Sequence, residues 1–262
     1  MDLQLNDKVA LVAAASKGLG KASAMALARE GASVVICSRS QVIEETAEEI
    51  RAETGARAIP VQADVRLAAD VNRFVQTALD EFGHIDILVT NAGGPPPGKF
   101  LDFTAGDWQA AVDLSLMSVV HLCYAVVPHM LEQGGGSIVA LESITVKQPL
   151  DNLILSNAIR MAVIGMLKSM ANELGGRGIR INSINPTFTY TERVEQLLAN
   201  RASGNRTTVE EEAAKITANI PLGRMGDVAE FGRTVAWLAS PAASYIHGHA
   251  LMFDGGETKT PL

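Results

Sequence analysis

The sequence predicts an α/β fold with one doubly wound (Rossmann-type) parallel sheet of seven strands and helices on both faces. Short β-branched runs alternate with longer helical patterns along the 262 residues, which is the order of βαβ units. The runs are nearly continuous in apolar residues, as expected where helices cover both faces of a sheet. No repeat and no linker divides the chain, so we expect one domain over residues 1–262.

Each predicted strand is a short apolar run, and the strands are assigned to 9–13, 33–37, 57–61, 85–90, 136–141, 179–184 and 250–253. Helical patterns lie between them, at 20–30, 44–53, 69–82, 107–132 and 153–174. The fourth helix must accommodate Pro128. Residues 187–219 interrupt this rhythm because they are polar, charged and helix-compatible. Since the segment follows strand six, we expect a helical cover over a substrate.

Composition and charge exclude several classes of function. The chain has 22 Lys and Arg against 29 Asp and Glu and is 47% hydrophobic, which is typical of a globular protein and gives no basic footprint for nucleic acid. Cys37 and Cys123 lie far apart in apolar runs, so we expect reduced core residues, no disulfide and no metal site. The N-terminal residues lack a secretory signal, and we expect no apolar run to be long enough to span a bilayer. These features predict a cytoplasmic protein without membrane contact.

A turn that contains glycine follows the first predicted strand. Glycines at a strand-to-helix turn let the backbone approach a diphosphate, whose charge then meets the free N–H groups of the helix start. The residues expected to contact a nucleotide here are Ala14, Ser16, Lys17, Gly18, Leu19 and Gly20.

The turn resembles the TGxxxGxG loop of the short-chain dehydrogenase/reductase family. Gly18 and Gly20 match, while Ala14 stands where that family usually has its first glycine. The resemblance extends over almost the whole chain and implies further cofactor contacts at Asp64, Val65, Asn91, Ala92, Gly93, Pro186 and Thr191. It also implies a small-molecule substrate and a homo-oligomer, a tetramer built through the two long helices and the last strand.

The charge at the end of strand two indicates which dinucleotide is bound. An acidic side chain there would pair with a ribose 2′-hydroxyl, but the chain has Ser38 followed by Arg39, with Lys17 nearby. Two cations and no carboxylate suit a 2′-phosphate, which favours NADP(H). NAD(H) remains an open alternative, since Arg39 and Lys17 could be ordinary surface charges.

The chemical end of the site departs from the family pattern. The resemblance implies a Ser at the end of strand five, a Tyr and a Lys on the next helix, and an Asn on the preceding one. Aligned from Ser143, the Tyr position holds Ser156, the Lys position holds Arg160 and the Asn position holds Ser115. Arg160 can still hold ribose hydroxyls, but it stays charged and cannot shuttle a proton.

Two other side chains are candidates for the missing acid. Tyr190 lies beside the predicted nicotinamide loop and could donate a proton, or it could simply pack the cover segment. Glu142 adds a carboxylate next to Ser143, but adjacent strand residues face opposite sides, which favours a structural role for Glu142.

We expect an NADP(H)-dependent oxidoreductase that acts on a carbonyl or hydroxyl compound, similar to 3-oxoacyl-carrier-protein reductases. Two alternatives stay open because the Tyr and the Lys are absent. One is a nucleotide-binding sensor or partner subunit without redox turnover, and the other is a non-redox lyase or isomerase on the same fold.

Overall fold

A computed structural model describes residues 2–260, whose strands form one parallel sheet in the order β3-β2-β1-β4-β5-β6-β7. The strands are β1 Val9–Val12, β2 Ser33–Ser38, β3 Ala58–Gln62, β4 Ile87–Thr90, β5 Gly136–Leu141, β6 Ile179–Pro186 and β7 Ala250–Phe253. The predicted seven-stranded, doubly wound fold is confirmed.

Helices connect the strands and cover both faces of the sheet. They are α1 Gly18–Arg29, α2 Val42–Thr54, α3 Ala68–Phe82, α4 Ala105–Val112, α5 Ser118–Glu132, α6 Ile154–Leu174, α7 Glu192–Asn205, α8 Val209–Thr217 and α9 Val228–Ala239. A π-helical segment, Asp113–Met117, joins α4 to α5, so the predicted long helix is continuous but not uniform.

Alternation along β1 explains why its run of apolar residues has no polar position. Ala10 and Val12 belong to the core cluster that contains residues of α1 and α9, whereas Leu11 belongs to the cluster on the opposite face. Leu11 pairs in register with Val35 of β2 and with Leu88 of β4. Burying a leucine side chain of this kind stabilises the fold by roughly 1.5–3 kcal/mol.

Helix α9 has no counterpart among the predicted elements. It begins with a capping box in which the Asp227 side chain accepts from the N–H groups of Ala229 and Glu230. Gly232 lies against α1 so closely that a β-carbon there would meet the carbonyl oxygen of Ala22 at 2.3 Å. Gly232 therefore permits close packing of two helices, and this glycine does not end the helix.

Two helical stretches, Ala105–Glu132 and Ile154–Arg177, are long and apolar enough to cross a bilayer by length and composition. The expectation that no apolar run reaches that length is therefore wrong. Leu122 and Val163, one on each stretch, are fully buried in the core cluster that also holds Leu11. Helices that cover a sheet in a globular protein can be as long and as apolar as membrane-spanning helices, because their apolar residues face the core.

Candidate active site

One cleft of about 600 Å³ lies at the carboxyl ends of the strands and brings together most of the predicted site residues. In open α/β sheets, ligands bind outside this edge, where the strand order reverses. Here the reversal falls at β1, which pairs with β2 on one side and with β4 on the other. The predicted residues that line the cleft are Ala14, Ser16, Lys17, Gly18, Leu19, Ser38, Arg39, Asp64, Val65, Asn91, Ala92, Gly93, Ser143, Ser156, Arg160, Pro186 and Thr191.

The turn after β1 exposes the N-terminus of α1 to this cleft. Lys17 is the N-cap and its side chain makes no capping hydrogen bond, so the first N–H groups of α1 are free to meet an anion. Gly20 does not line the cleft, but it is the position where the turn is tightest. A β-carbon on Gly20 would lie 2.4 Å from the carbonyl oxygen of Ala14 and 2.8 Å from the Nδ2 of Asn91.

Ala14 has a left-handed backbone with φ of 48°, in the position where the family usually has glycine. The Asn91 side-chain amide donates to its carbonyl oxygen at 3.1 Å and so ties the turn to the end of β4. The turn therefore keeps the backbone conformation of a glycine-rich loop although it carries an alanine methyl group.

Two cations with no ion-pair partner in residues 2–260 mark one end of the cleft. Lys17 and Arg39 are both exposed. Because β2 ends at Ser38, this position holds a hydroxyl and not a carboxylate. The Ser38 hydroxyl donates to the carbonyl oxygen of Ser40 at 2.9 Å. The electrostatics suit an anionic ligand group here.

Asp64 is already paired, which limits what it can hold. Its Oδ2 lies 2.5 Å from Nη2 of Arg66, and the hydrogen bonds from Arg66 hold the pKa of the Asp64 carboxyl below its usual range. The neighbouring Val65 is buried and lines the cleft. Asp64 and Val65 therefore present an ion-paired carboxylate and an apolar side chain to the cleft.

Hydroxyl groups and one ion pair form the other end of the cleft. The N–H of Thr145 donates to the Ser143 hydroxyl at 3.2 Å, and Ser156 Oγ lies 3.3 Å from the Thr145 hydroxyl. Arg160 projects from α6, and its Nη1 lies 2.9 Å from Glu142 Oε2. Ser156 and Arg160, which are four residues apart on one helix face, thus reach the same end of the cleft.

Ser115 lies in the π-helical segment Asp113–Met117, and its buried hydroxyl has no hydrogen-bond partner among residues 2–260. Its neighbour Leu114 lines the cleft, but Ser115 does not. Single π-helical turns often occur at functional sites. The structure thus places Ser115 just behind the cleft wall.

The structure does not bring Tyr190 to the cleft. Residues 189–191 are extended, with Thr189 bridged to Gly226, so successive side chains face opposite sides. Thr189 and Thr191 line the cleft, whereas Tyr190 is 50% exposed and is not part of the lining. The role of Tyr190 as a substitute acid therefore stays a prediction, and its position outside the lining does not favour it.

The sequence favours a structural role for Glu142 over that of an acid, but the structure places Glu142 in the cleft lining together with Ser143. The expectation that the two residues face opposite sides assumed a continuing strand, but β5 ends at Leu141. Burial raises the pKa of the Glu142 carboxyl, and the adjacent Arg160 offsets this only in part.

Two helices lie beyond β6, where the cover was expected. Thr191 caps α7 by accepting from the N–H of Val194 at 3.3 Å, and α7 packs against α8 around Leu198 and Ile216. The guanidinium of Arg193 comes to 3.4 Å of the point where a β-carbon on Gly94 would lie. The segment therefore reaches from β6 to the loop after β4.

Comparisons with known proteins agree with this geometry. A family profile described as enoyl-(acyl carrier protein) reductase matches residues 13–258. A 3-oxoacyl-[acyl-carrier-protein] reductase from Synechocystis is 37% identical over 255 residues, which cover 96% of this chain and 97% of that protein. The chain belongs to the short-chain dehydrogenase/reductase family.

Solved structures share the whole fold. An L-sorbose reductase from Gluconobacter frateurii, complexed with NADPH and L-sorbose, superposes with a TM-score of 0.96 at 30% identity and covers 99% of this chain and 100% of its own. An actinorhodin polyketide ketoreductase with NADPH gives a TM-score of 0.91 at 30% identity, with 97% and 98% covered. Oxidoreductases that act on carbonyl or hydroxyl groups are thus the relatives of this chain.

Proposed function

We propose that this chain is an NADP(H)-dependent oxidoreductase that reduces a carbonyl compound, with a 3-oxoacyl compound as the leading substrate class. One observation carries the proposal. A single cleft joins the cations Lys17 and Arg39, at one end, to the hydroxyls of Ser143 and Ser156 and the guanidinium of Arg160, at the other. A nucleotide and a reacting carbonyl can therefore share one site.

The residues at the first end fit a dinucleotide with a 2′-phosphate. The free N–H groups at the start of α1 suit the diphosphate, and Gly20 lets the turn before them pack closely against Ala14 and Asn91. Lys17 and Arg39 would hold the 2′-phosphate, since β2 ends at Ser38 without a carboxylate. The two NADPH-complexed reductases that share this fold support the same choice.

At the second end, the side chains would orient the substrate. When bound, the reduced nicotinamide supplies a hydride to a carbonyl carbon. The hydroxyls of Ser143 and Ser156 can donate hydrogen bonds to the carbonyl oxygen, and Arg160 stays charged and can hold ribose hydroxyls. These groups bind and position the reactants but include no strong proton donor.

The cover and the apolar part of the cleft lining define the substrate side. We assign the cover to residues 187–219, which contain α7 and α8, within the single domain 1–262. The lining of the cleft also includes the apolar side chains of Pro95, Leu114, Leu150 and Leu153. This lining suits a substrate with an apolar body, and the relative named as a 3-oxoacyl reductase supports that choice.

Assembly into a homotetramer and a cytoplasmic location belong to the same proposal. Large apolar side chains are exposed on the two long helices, with Tyr124 at 78% and Met161 at 49%, and β7 is an edge strand of the sheet. Such surfaces suit subunit contacts. Cys37 and Cys123 are free and buried, which fits a reducing compartment.

A second candidate is a nucleotide-binding protein without turnover, and it is favoured by Ser156 and Arg160 at the Tyr and Lys positions. An assay of NADPH oxidation with a panel of ketones and 3-oxoacyl thioesters separates the two. Consumption of NADPH with at least one compound is the result that we expect. NADPH binding without consumption by any compound would support the second candidate, and no binding would contradict both.

A further inference from the structure

A buried ion pair occupies the chemical end of the cleft. Arg160 Nη1 lies 2.9 Å from Glu142 Oε2, and the two side chains are 12% and 2% exposed. Arg160 Nη1 also approaches the carbonyl oxygen of Leu141 at 3.5 Å, so the guanidinium is held at the end of β5. A carboxyl group and a permanent cation thus stand together where a proton must be delivered.

The surroundings of Glu142 leave Arg160 as its one charged partner in the described part of the chain. The backbone N–H of Glu142 donates to the carbonyl oxygen of Ile184, which fixes Glu142 next to β6. The other charged side chains that line the cleft are Lys17, Arg39, Asp64, Glu192 and Arg193. Within residues 2–260, only Arg160 forms an ion pair with Glu142.

We propose that Glu142 is the proton donor of the reduction, and that Arg160 positions it and sets its ionisation. This inference rests on the proposed function. In the reaction, the carbonyl carbon gains a C–H bond by taking, with both its electrons, the hydride that the bound NADPH would supply, so that NADPH is oxidised and the carbonyl is reduced. The C=O π pair moves onto oxygen, which forms an O–H bond with the proton of the Glu142 carboxyl. The resulting carboxylate regains a proton from water.

The other groups in the cleft are poorer proton sources. The serine hydroxyls of Ser143 and Ser156 are very weak acids, and Arg160 does not deprotonate at working pH. The phenol of Tyr190 lies outside the cleft lining. Burial raises the pKa of Glu142 toward the range where a general acid works best at neutral pH.

Infrared difference spectra of the free protein test this without turnover. In the wild type, the carbonyl stretch of a protonated carboxyl should disappear at a pH above the one at which an ordinary glutamate loses its proton. The same band should be missing in Glu142→Gln. In Arg160→Gln the same band should persist to higher pH, because the neighbouring positive charge is gone. A spectrum without such a band in the wild type overturns the inference.

Kinetics with the same variants provide the second readout. Glu142→Gln should lower NADPH oxidation by about 10²–10⁴-fold while the Kd for NADPH stays within about threefold. Tyr245→Phe, at an exposed residue outside the cleft lining, is the control and should keep the wild-type rate. Tyr190→Phe tests the competing donor and should also keep it, and a loss of about 10²-fold or more in Tyr190→Phe would overturn the inference. Arg160→Gln should move the alkaline limb of the pH profile of NADPH oxidation to higher pH. This shift tests the role of Glu142 even if Glu142→Gln fails to fold.

The outcomes separate the two proposals. Turnover that survives in Glu142→Gln with an unchanged pH profile overturns this inference alone. A wild-type protein that consumes no NADPH overturns the proposed reductase function and this proton-donor role with it.

Discussion

The left-handed backbone at Ala14 predicts an unusual gain in stability from a substitution to glycine. An L-residue in this conformation costs roughly 1–2 kcal/mol, whereas glycine adopts it freely. Glycine also loses more chain entropy on folding, by roughly 0.4–1 kcal/mol. With φ of 48° at Ala14, the difference predicts that Ala14→Gly raises the free energy of unfolding by about 0.5–1 kcal/mol.

Urea denaturation of the free protein measures this effect, with Ala15→Gly as the matched control. Ala15 is fully buried and lies outside the left-handed region, so its substitution removes a packed methyl group and adds chain entropy. The control should lose about 1–2 kcal/mol. If Ala14→Gly instead destabilises the protein like Ala15→Gly, the turn does not have the backbone that we describe.

Further substitutions test the tight turn after β1 and the contacts at the end of α9. Gly20→Ala places a methyl group 2.4 Å from the carbonyl oxygen of Ala14, and should cost about 1–3 kcal/mol in urea denaturation and weaken NADPH binding. Its control is Gly204→Ala in α7, where no atom lies within 4 Å of the added β-carbon and stability should rise by up to about 1 kcal/mol. Equal effects of the two substitutions would contradict the tight turn. Arg180→Met should lower the free energy of unfolding by about 3 kcal/mol. The reason is that the Arg180 guanidinium donates to four carbonyl oxygens at the end of α9, those of Leu238, Ala239, Ser240 and Ala243. A loss below about 0.5 kcal/mol, the size expected for a surface substitution, would contradict that role.

Most of the fold could be predicted because the strands are buried on both faces. A continuous apolar run such as Val9–Val12 is typical of that arrangement, and its position follows from the sequence alone. Helix α9 was missed because Gly232 interrupts its pattern and the close packing against α1 that explains Gly232 is tertiary. The spacing of Asp227 and Glu230, which form the capping box, was the available signal.

The cofactor end of the site was easier to predict than the chemical end. Lys17 and Arg39 follow strands whose ends meet at one edge of the sheet, so topology alone brings them together. Whether the side chains of Tyr190 and Glu142 face the cleft depends on the local backbone beyond the ends of the strands. Because β5 ends at Leu141, Glu142 and Ser143 do not alternate as strand residues do and both line the cleft, whereas Tyr190 lies outside the lining.

Calorimetric titration of the wild type and of Arg39→Asp with NADPH and with NADH tests the central claim most directly. A hydrogen bond to a charged group is worth roughly 1.5–3 kcal/mol, so the wild type should bind NADPH at least about tenfold more tightly than NADH. Arg39→Asp should abolish that preference and leave NADH binding nearly unchanged. No binding of either nucleotide to the wild type, or equal losses for both in Arg39→Asp, would contradict a cleft built for a 2′-phosphorylated dinucleotide.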